Sequence, residues 1–168
     1  YWINDFDWRA VEARLNSFDH YTALVDGRRQ HFIHQRSPHD DAMPLVITHG
    51  WPGSVLEFMD VIGPLTDPTA HGGKAADAFH VVCPAIPGYG FSEAPAQAGF
   101  DIRRVGPCNA ELMECLGYSR SAAPGGDWGA IATSWLGLDD CQHCARLPLN
   151  RVVAAPPEGA HYPGWCAP

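Results

Sequence analysis

The sequence predicts an α/β fold, a mostly parallel sheet with helices on both faces, entered through an antiparallel hairpin. Three observations predict it. From residue 44 onward, compact apolar runs alternate with helical patterns, the mark of strands laid parallel through helical crossovers. Before that point Asp26-Gly27 parts two alternating runs, the strongest short-range hairpin signal. A chain of 168 residues, 46% hydrophobic and 18% charged, is also long enough to bury one core.

Each element follows in order. In "DWRAVEARLNSF", Trp8, Val11, Leu15 and Phe18 recur at helical spacing and predict a short amphipathic helix that packs on something else. The hairpin "YTALVDGRRQHFIHQR" comes next. "PLVITH" reads as a buried strand and "GWPGS" as a turn. Ser54 and Glu57 then form a capping box for a helix whose apolar face is Leu56, Met59, Ile62 and Leu65. A polar loop at 66–78 leads to the strand "FHVVCP" and the Pro/Gly-rich loop "AIPGYGFSEAP". "DIRRVGPCNAELMECLG" predicts a helix ending at Gly117, kinked at Gly106-Pro107 or beginning at Pro107. A weak strand at 118–123 enters "GGDWG"; "GAIATSWLGL" is helical, and "ARLPLNRVVAA" reads as a last strand.

Composition removes several function classes. A net charge of −8 and a pI near 5.4 exclude the basic stripe of a nucleic-acid binder. No apolar run reaches the length of a membrane span, and no signal peptide is visible. The first residue is Tyr1 rather than Met, so the missing signal carries little weight. The six cysteines suit free thiols better than a disulfide framework, with Cys83 ending a buried strand, and a reduced, cytoplasmic setting is expected.

In parallel sheets, sites form at the carboxyl ends of the strands, where both Gly-rich turns fall and where they can face one another. In Gly125-Gly126-Asp127-Trp128-Gly129 an acid occupies the place where many hydrolases carry a serine on a tight strand-to-helix turn. The helix N-terminus favours the carboxylate, which needs no general base to act as a nucleophile. A serine that attacked saturated carbon would end as an inert ether, whereas a carboxylate becomes an ester that water can cleave. An acid at this turn therefore fits displacement on an epoxide or an alkyl halide. Cleaving the ester puts negative charge on the aspartate oxygen, and the backbone N–H groups of Trp128 and Trp51 are placed to receive it. The bland alternative is an ordinary turn in which Asp127 caps a helix.

With "THGWPGS" and "GGDWG" together, the chain resembles the microsomal-type epoxide hydrolases of the α/β-hydrolase superfamily, bacterial branch. The likeness also runs through "FDWRAVEARLNSFDHYTALVDGRRQHFIHQRS", "EFMDVIGPLTDP", "HGG" and "ADAFHVVCPAIPGYGFSEAP". It implies an N-terminal segment over residues 1–43 and the first part of a truncated α/β-hydrolase domain over 44–168. It implies Asp127 as nucleophile and Trp51 and Trp128 as oxyanion donors. His49, Gly50, Pro52 and Gly126 would shape the pocket or its loops. The substrates are a small-molecule epoxide and water, with no cofactor and no metal. The family's base is a late histidine oriented by an acid, with tyrosines from a cap; these are expected beyond Pro168. His143, His161, Glu158 and Tyr162 match none of those positions.

The expected consequence is a chain that can be alkylated but does not turn over. Unpaired sheet edge would further invite self-association. Pro124, Ser121-Ala122, Gly106-Pro107 and Arg151 depart from the family pattern. Two other readings stand beside this one, a haloalkane dehalogenase using the same Asp-Trp pair and a non-catalytic fragment. Cys141-Gln-His-Cys144 has the spacing of half a zinc site, with Cys166 and His161 as the nearest further ligands, and incidental thiols as the alternative. His31 and His34 on a strand and His71 in a loop are expected in surface or packing roles. "GYGFS" at 88–92 is either a pocket mouth or a plain loop.

Overall fold

A computed structural model describes residues 1–150. Its first helix, α1 (Trp8–Leu15), starts where the Asp7 side chain accepts the Ala10 N–H at 3.0 Å. Strands β1 (His20–Val25) and β2 (Arg28–Gln35) form the hairpin, paired Val25 to Arg28 across a two-residue turn. Asp26 and Gly27 both take positive φ, 47° and 73°, as the mirror-image turn of a twisted hairpin requires. The Asp26 carboxylate takes Arg28 and Arg104, and its N–H donates to Glu111 Oε2 at 3.0 Å.

β3 (Met43–Val46) and β4 (Phe79–Pro84) lie parallel, and β2 pairs antiparallel with β4 from Phe32–Pro84 to Gln35–Val81. The hairpin thus extends the same sheet. With β5 (Ser121–Ala122) and β6 (Cys144–Arg146) the order is β1-β2-β4-β3-β5-β6, parallel from β4 onward. Among the described residues β1 and β6 are the outer strands.

Alternation along the strands makes two cores. Phe32, Val46 and Val82 pack with Cys108, Leu112, Met113 and Leu136, beneath α3 (Ile102–Cys115) and α4 (Asp127–Asp139). Their strand neighbours Ile33, Leu45, Ile47, Val81 and Cys83 face the other way. They pack with Val55 and with Ile62 of the short α2 (Ile62–Thr66), and Leu15 and Phe18 close the edge. The predicted two-sided parallel sheet is the fold observed.

Three local expectations need correction. No single helix follows Ser54. Its Oγ accepts the Leu56 N–H at 3.3 Å, a 3₁₀ turn spans Val55–Phe58, and α2 begins only at Ile62. Pro64 explains the break, since it has no N–H to return to the carbonyl four residues back and its ring crowds that carbonyl. Leu56, expected on the buried face, is exposed. Conversely, α3 runs without interruption through Gly106-Pro107, capped by Asp101, which accepts the Arg103 N–H at 3.0 Å. It ends as expected, at Gly117 with φ 85° and with Tyr118 N–H bonded back to Met113 O at 2.9 Å.

The strand predicted at 118–123 pairs only over Ser121–Ala122, with an isolated bridge at Gly125. The N–H groups of Ser121, Ala123 and Gly125 all donate toward the β6 side. The even positions face β3, and there Pro124 offers no donor. Of the predicted strand at 145–155, β6 occupies the start and Leu149 bridges Gly125. Arg151, Glu158, His161, Tyr162 and Cys166 lie outside the described residues.

Candidate active site

The turn after β3 and the turn before α4 meet at the carboxyl end of the sheet. Asp127 sits at φ 48°, a left-handed conformation that a side-chain-bearing residue adopts only under constraint. The constraint is the sharp entry from strand to helix. Thr48 bridges Gly125, and a Cβ on Gly129 would stand 2.1 Å from the Thr48 carbonyl oxygen. Only glycine lets the first turn of α4 approach that carbonyl so closely. Gly50 is equally required, because a Cβ there would lie 2.7 Å from Asp127 Cβ and 3.0 Å from its Oδ1.

The backbone N–H of Trp51 donates to Asp127 Oδ1 at 2.9 Å. The structure thus brings together two residues 76 apart in sequence, as the two-turn reading requires. Trp128 follows Asp127 in the first turn of α4, where backbone N–H groups have no partner within the helix. Gly126 is the N-cap of α4, and a Cβ on it would fall 2.9 Å from Asn150 Nδ2. Pro52 follows Trp51 in a turn closed by the Gly53 N–H on the Gly50 carbonyl at 3.1 Å.

His49 lies fully buried beneath the first turn. Its Nδ1–H donates to the Gly50 carbonyl at 2.9 Å, and its Nε2 accepts the Ile86 N–H at 3.1 Å. Burial pushes its pKa down, opposed by the bond to Gly50. Both ring nitrogens are therefore engaged, in a neutral ring that pins the turn after β3 to the loop after β4. From that loop Tyr89 stands between His49 and Trp128, at ring separations of 5.3 and 6.4 Å. Of "GYGFS", Tyr89 is the residue that lines a cavity beside Trp128. Asp127, Gly50, Gly126, Phe58 and Asn150 line a cavity of about 570 Å³, and Trp128 and Tyr89 face an apolar one of about 440 Å³.

Sequence reading missed Asn109 and Asn150. Asn109 on α3 is buried and donates to Thr48 Oγ1 at 2.8 Å, one residue before the turn that carries Trp51. An amide on the inner face of an amphipathic helix was the available signal. Asn150 reaches Gly126 only through the tertiary fold. Of the half zinc site considered, Cys141 and Cys144 are free thiols, and His143 between them is held by Asp140 and Glu114. No group of three or more His, Cys, Asp or Glu is placed to hold a metal among the described residues. Among the same residues, no helix is long and apolar enough to cross a membrane.

The family model for the alpha/beta hydrolase fold matches residues 43–154. The chain belongs to that family. A second model, "Epoxide hydrolase N terminus", matches residues 1–58 of the chain. A Stigmatella aurantiaca (strain DW4/3-1) protein provisionally named an epoxide hydrolase is 54% identical over 156 residues, 93% of this chain and 36% of that protein. Epoxide hydrolase 1 of Oryctolagus cuniculus is 39% identical over 157 residues, 91% of this chain and 34% of that one. The solved Aspergillus niger epoxide hydrolase superposes with a TM-score of 0.78 at 33% identity, covering 99% of this chain and 43% of that one. The chain spans about a third of the length of the curated relatives it matches.

Proposed function

We propose that this chain carries the nucleophilic part of an epoxide-opening site, with Asp127 as the attacking carboxylate. The observation that carries the proposal is the Trp51 N–H on Asp127 Oδ1 at 2.9 Å. A donor on one carboxylate oxygen assigns the two different tasks. Oδ1 stays in the donor site, and Oδ2 attacks an epoxide carbon. The C–O bond of the ring breaks, and the alkoxide it releases takes a proton from water or an acid. The product is a hydroxyalkyl ester of Asp127. Attack of water at the ester carbonyl would then place charge on Oδ1, where the Trp51 and Trp128 N–H groups are preorganised to receive it, and release a vicinal diol. His49, Gly50, Pro52 and Gly126 shape the donor turn and the cavity. No step calls for a cofactor or metal.

Deacylation needs a general base. His49, the histidine beside the turn, uses both nitrogens structurally and cannot supply one. The 168-residue chain is thus expected to be alkylated once and to hold its ester. The match of the N-terminal 58 residues to the epoxide hydrolase model favours this reading over a dehalogenase, which would release halide through the same aspartate. Incubation with a reactive aryl epoxide should raise the intact mass by one epoxide, and Asp127→Ala should prevent it. Sustained diol formation would refute the single-turnover claim. Halide release from an alkyl bromide without any epoxide adduct would favour the dehalogenase reading.

A further inference from the structure

Cys141-Gln142-His143-Cys144 has no part in the site around Asp127, and a zinc ion finds no set of ligands there among the described residues. The four residues instead form the turn that carries the chain from α4 into β6. The Cys144 N–H donates to the Cys141 carbonyl at 3.3 Å, and the His143 N–H to that of Asp140 at 3.2 Å. A turn closed by a bond from its fourth residue to its first keeps the two outer Cα atoms within about 7 Å. Disulfides span Cα separations of about 4.4–6.8 Å, so the backbone already holds these cysteines at bridging range.

The two thiols differ in what they can reach. Cys141 is exposed and open to a reagent from solution. Cys144 is half-buried and packs against the core beneath α3 and α4. Its thiol is pushed above the usual range by burial first, then by the Asp140 carboxylate and by Cys141. A second thiolate is thus disfavoured beside that carboxylate, whereas a disulfide has no charge to place there. His143 gives neither thiol a base, because Asp140 holds its Nδ1 and Glu114 its Nε2. Cys83 and Cys108 are buried, which removes them from exchange with solution.

We propose that Cys141 and Cys144 are a reversible thiol–disulfide pair, a modification site for low-molecular-weight disulfides such as glutathione disulfide. The Cys141 thiolate attacks one sulfur of that reagent and expels a glutathione thiolate, which takes up the proton that Cys141 lost. Cys144 then loses its own proton, attacks Cys141 Sγ in the mixed disulfide and expels the second glutathione. The two protein thiols are oxidised to one disulfide, and glutathione disulfide is reduced to two glutathiones. Exposure makes Cys141 the entry thiol, and its place across the turn makes Cys144 the resolving one. The link would tie the turn after α4 to the first residue of β6, which pairs with Ser121. It uses no residue of the epoxide reading and stands or falls independently of it.

The test is to incubate the reduced chain with glutathione disulfide in about 0.1 mM glutathione, quench it with acid and map it with trypsin without reduction. Residues 121–146 leave as one peptide that carries both cysteines. That peptide is expected two hydrogens lighter, free of glutathione and blocked to iodoacetamide. A neighbouring thiol acts at an effective concentration of at least about 1 mM, so the internal link should exceed the mixed disulfide by about tenfold or more. Cys144→Ser should stop at glutathione on Cys141, and Cys141→Ser should take up glutathione more slowly than Cys144→Ser does. Asp127→Ala should form the link as the unaltered chain does. A dominant mixed disulfide in the unaltered chain, a link from either cysteine to Cys115 or Cys166, faster uptake by Cys141→Ser, or thiols left unoxidised would each overturn the proposal.

Discussion

Single atoms decide whether this site can work. Gly50 has room for no side chain, because a Cβ would stand 2.7 Å from Asp127 Cβ. Gly50→Ala must therefore move Asp127 or the donor turn, and a displacement near one ångström can cost about a hundredfold in rate. Epoxide alkylation of Gly50→Ala, timed by mass spectrometry, is expected to slow by about that factor while its circular dichroism stays native. An unchanged rate would show that the close approach is not what positions Asp127. The residues carrying this geometry were legible because their chemistry is compulsory. An acid between glycines on a sharp turn and a turn of the form "HGWPG" both have few other uses. Asn109 was not legible, since a buried amide at a helical position means nothing until its partner, Thr48 on another element, is known.

At the scale of elements, close backbone approach matters more than local propensity. A Cβ on Gly106 of α3 would meet Ala132 O and Leu136 N of α4, both at 2.7 Å. Alanine improves helix propensity by about 1 kcal/mol over glycine. Overpacking against backbone costs about 1–3 kcal/mol, so the clash is expected to win. Gly106→Ala should lower the denaturant midpoint of unfolding; a higher midpoint would mean that α3 and α4 part at little cost. This contact also explains the glycine of Gly106-Pro107: it is there for α4, and α3 does not begin at the proline but continues past it. The hairpin and the end of α3 were readable because positive φ at Gly27 and Gly117 leaves a local signature in sequence. The segment 54–65 was not, because its apolar spacing is helical throughout while Pro64 is accommodated in the first turn of α2, which begins only at Ile62. At Pro124 the sequence does report a lost ladder bond, and pairing of β5 is correspondingly short.

For the whole molecule, strand alternation made the fold class legible, while the strand order β1-β2-β4-β3-β5-β6 needed the tertiary structure. Burial of histidines inside that sheet makes its stability sensitive to acid. Burial is the main cause that lowers His31, to about 4, and also His34, His49 and His80. An unfolded histidine titrates near 6.5, so as pH falls below that value the unfolded chain takes up protons before the folded one does. Stability is therefore full above about pH 6.5 and declines toward the folded values, by at most about 1.4 kcal/mol per pH unit for each histidine. Thermal melts should show a clear loss between pH 7.5 and pH 5, shallower in His31→Phe. A melting temperature flat across that range would contradict these burials.

The central claim is that Asp127 itself, rather than a thiol, takes up an epoxide. Cys115 and Cys141 are exposed and compete for the same reagent, but they yield thioethers where the aspartate yields an ester. Peptide mapping of the epoxide-treated chain, before and after hydroxylamine, separates the two. The account predicts one adduct on the peptide containing Asp127, removed by hydroxylamine. Adducts confined to cysteine or histidine peptides and stable to hydroxylamine would contradict it.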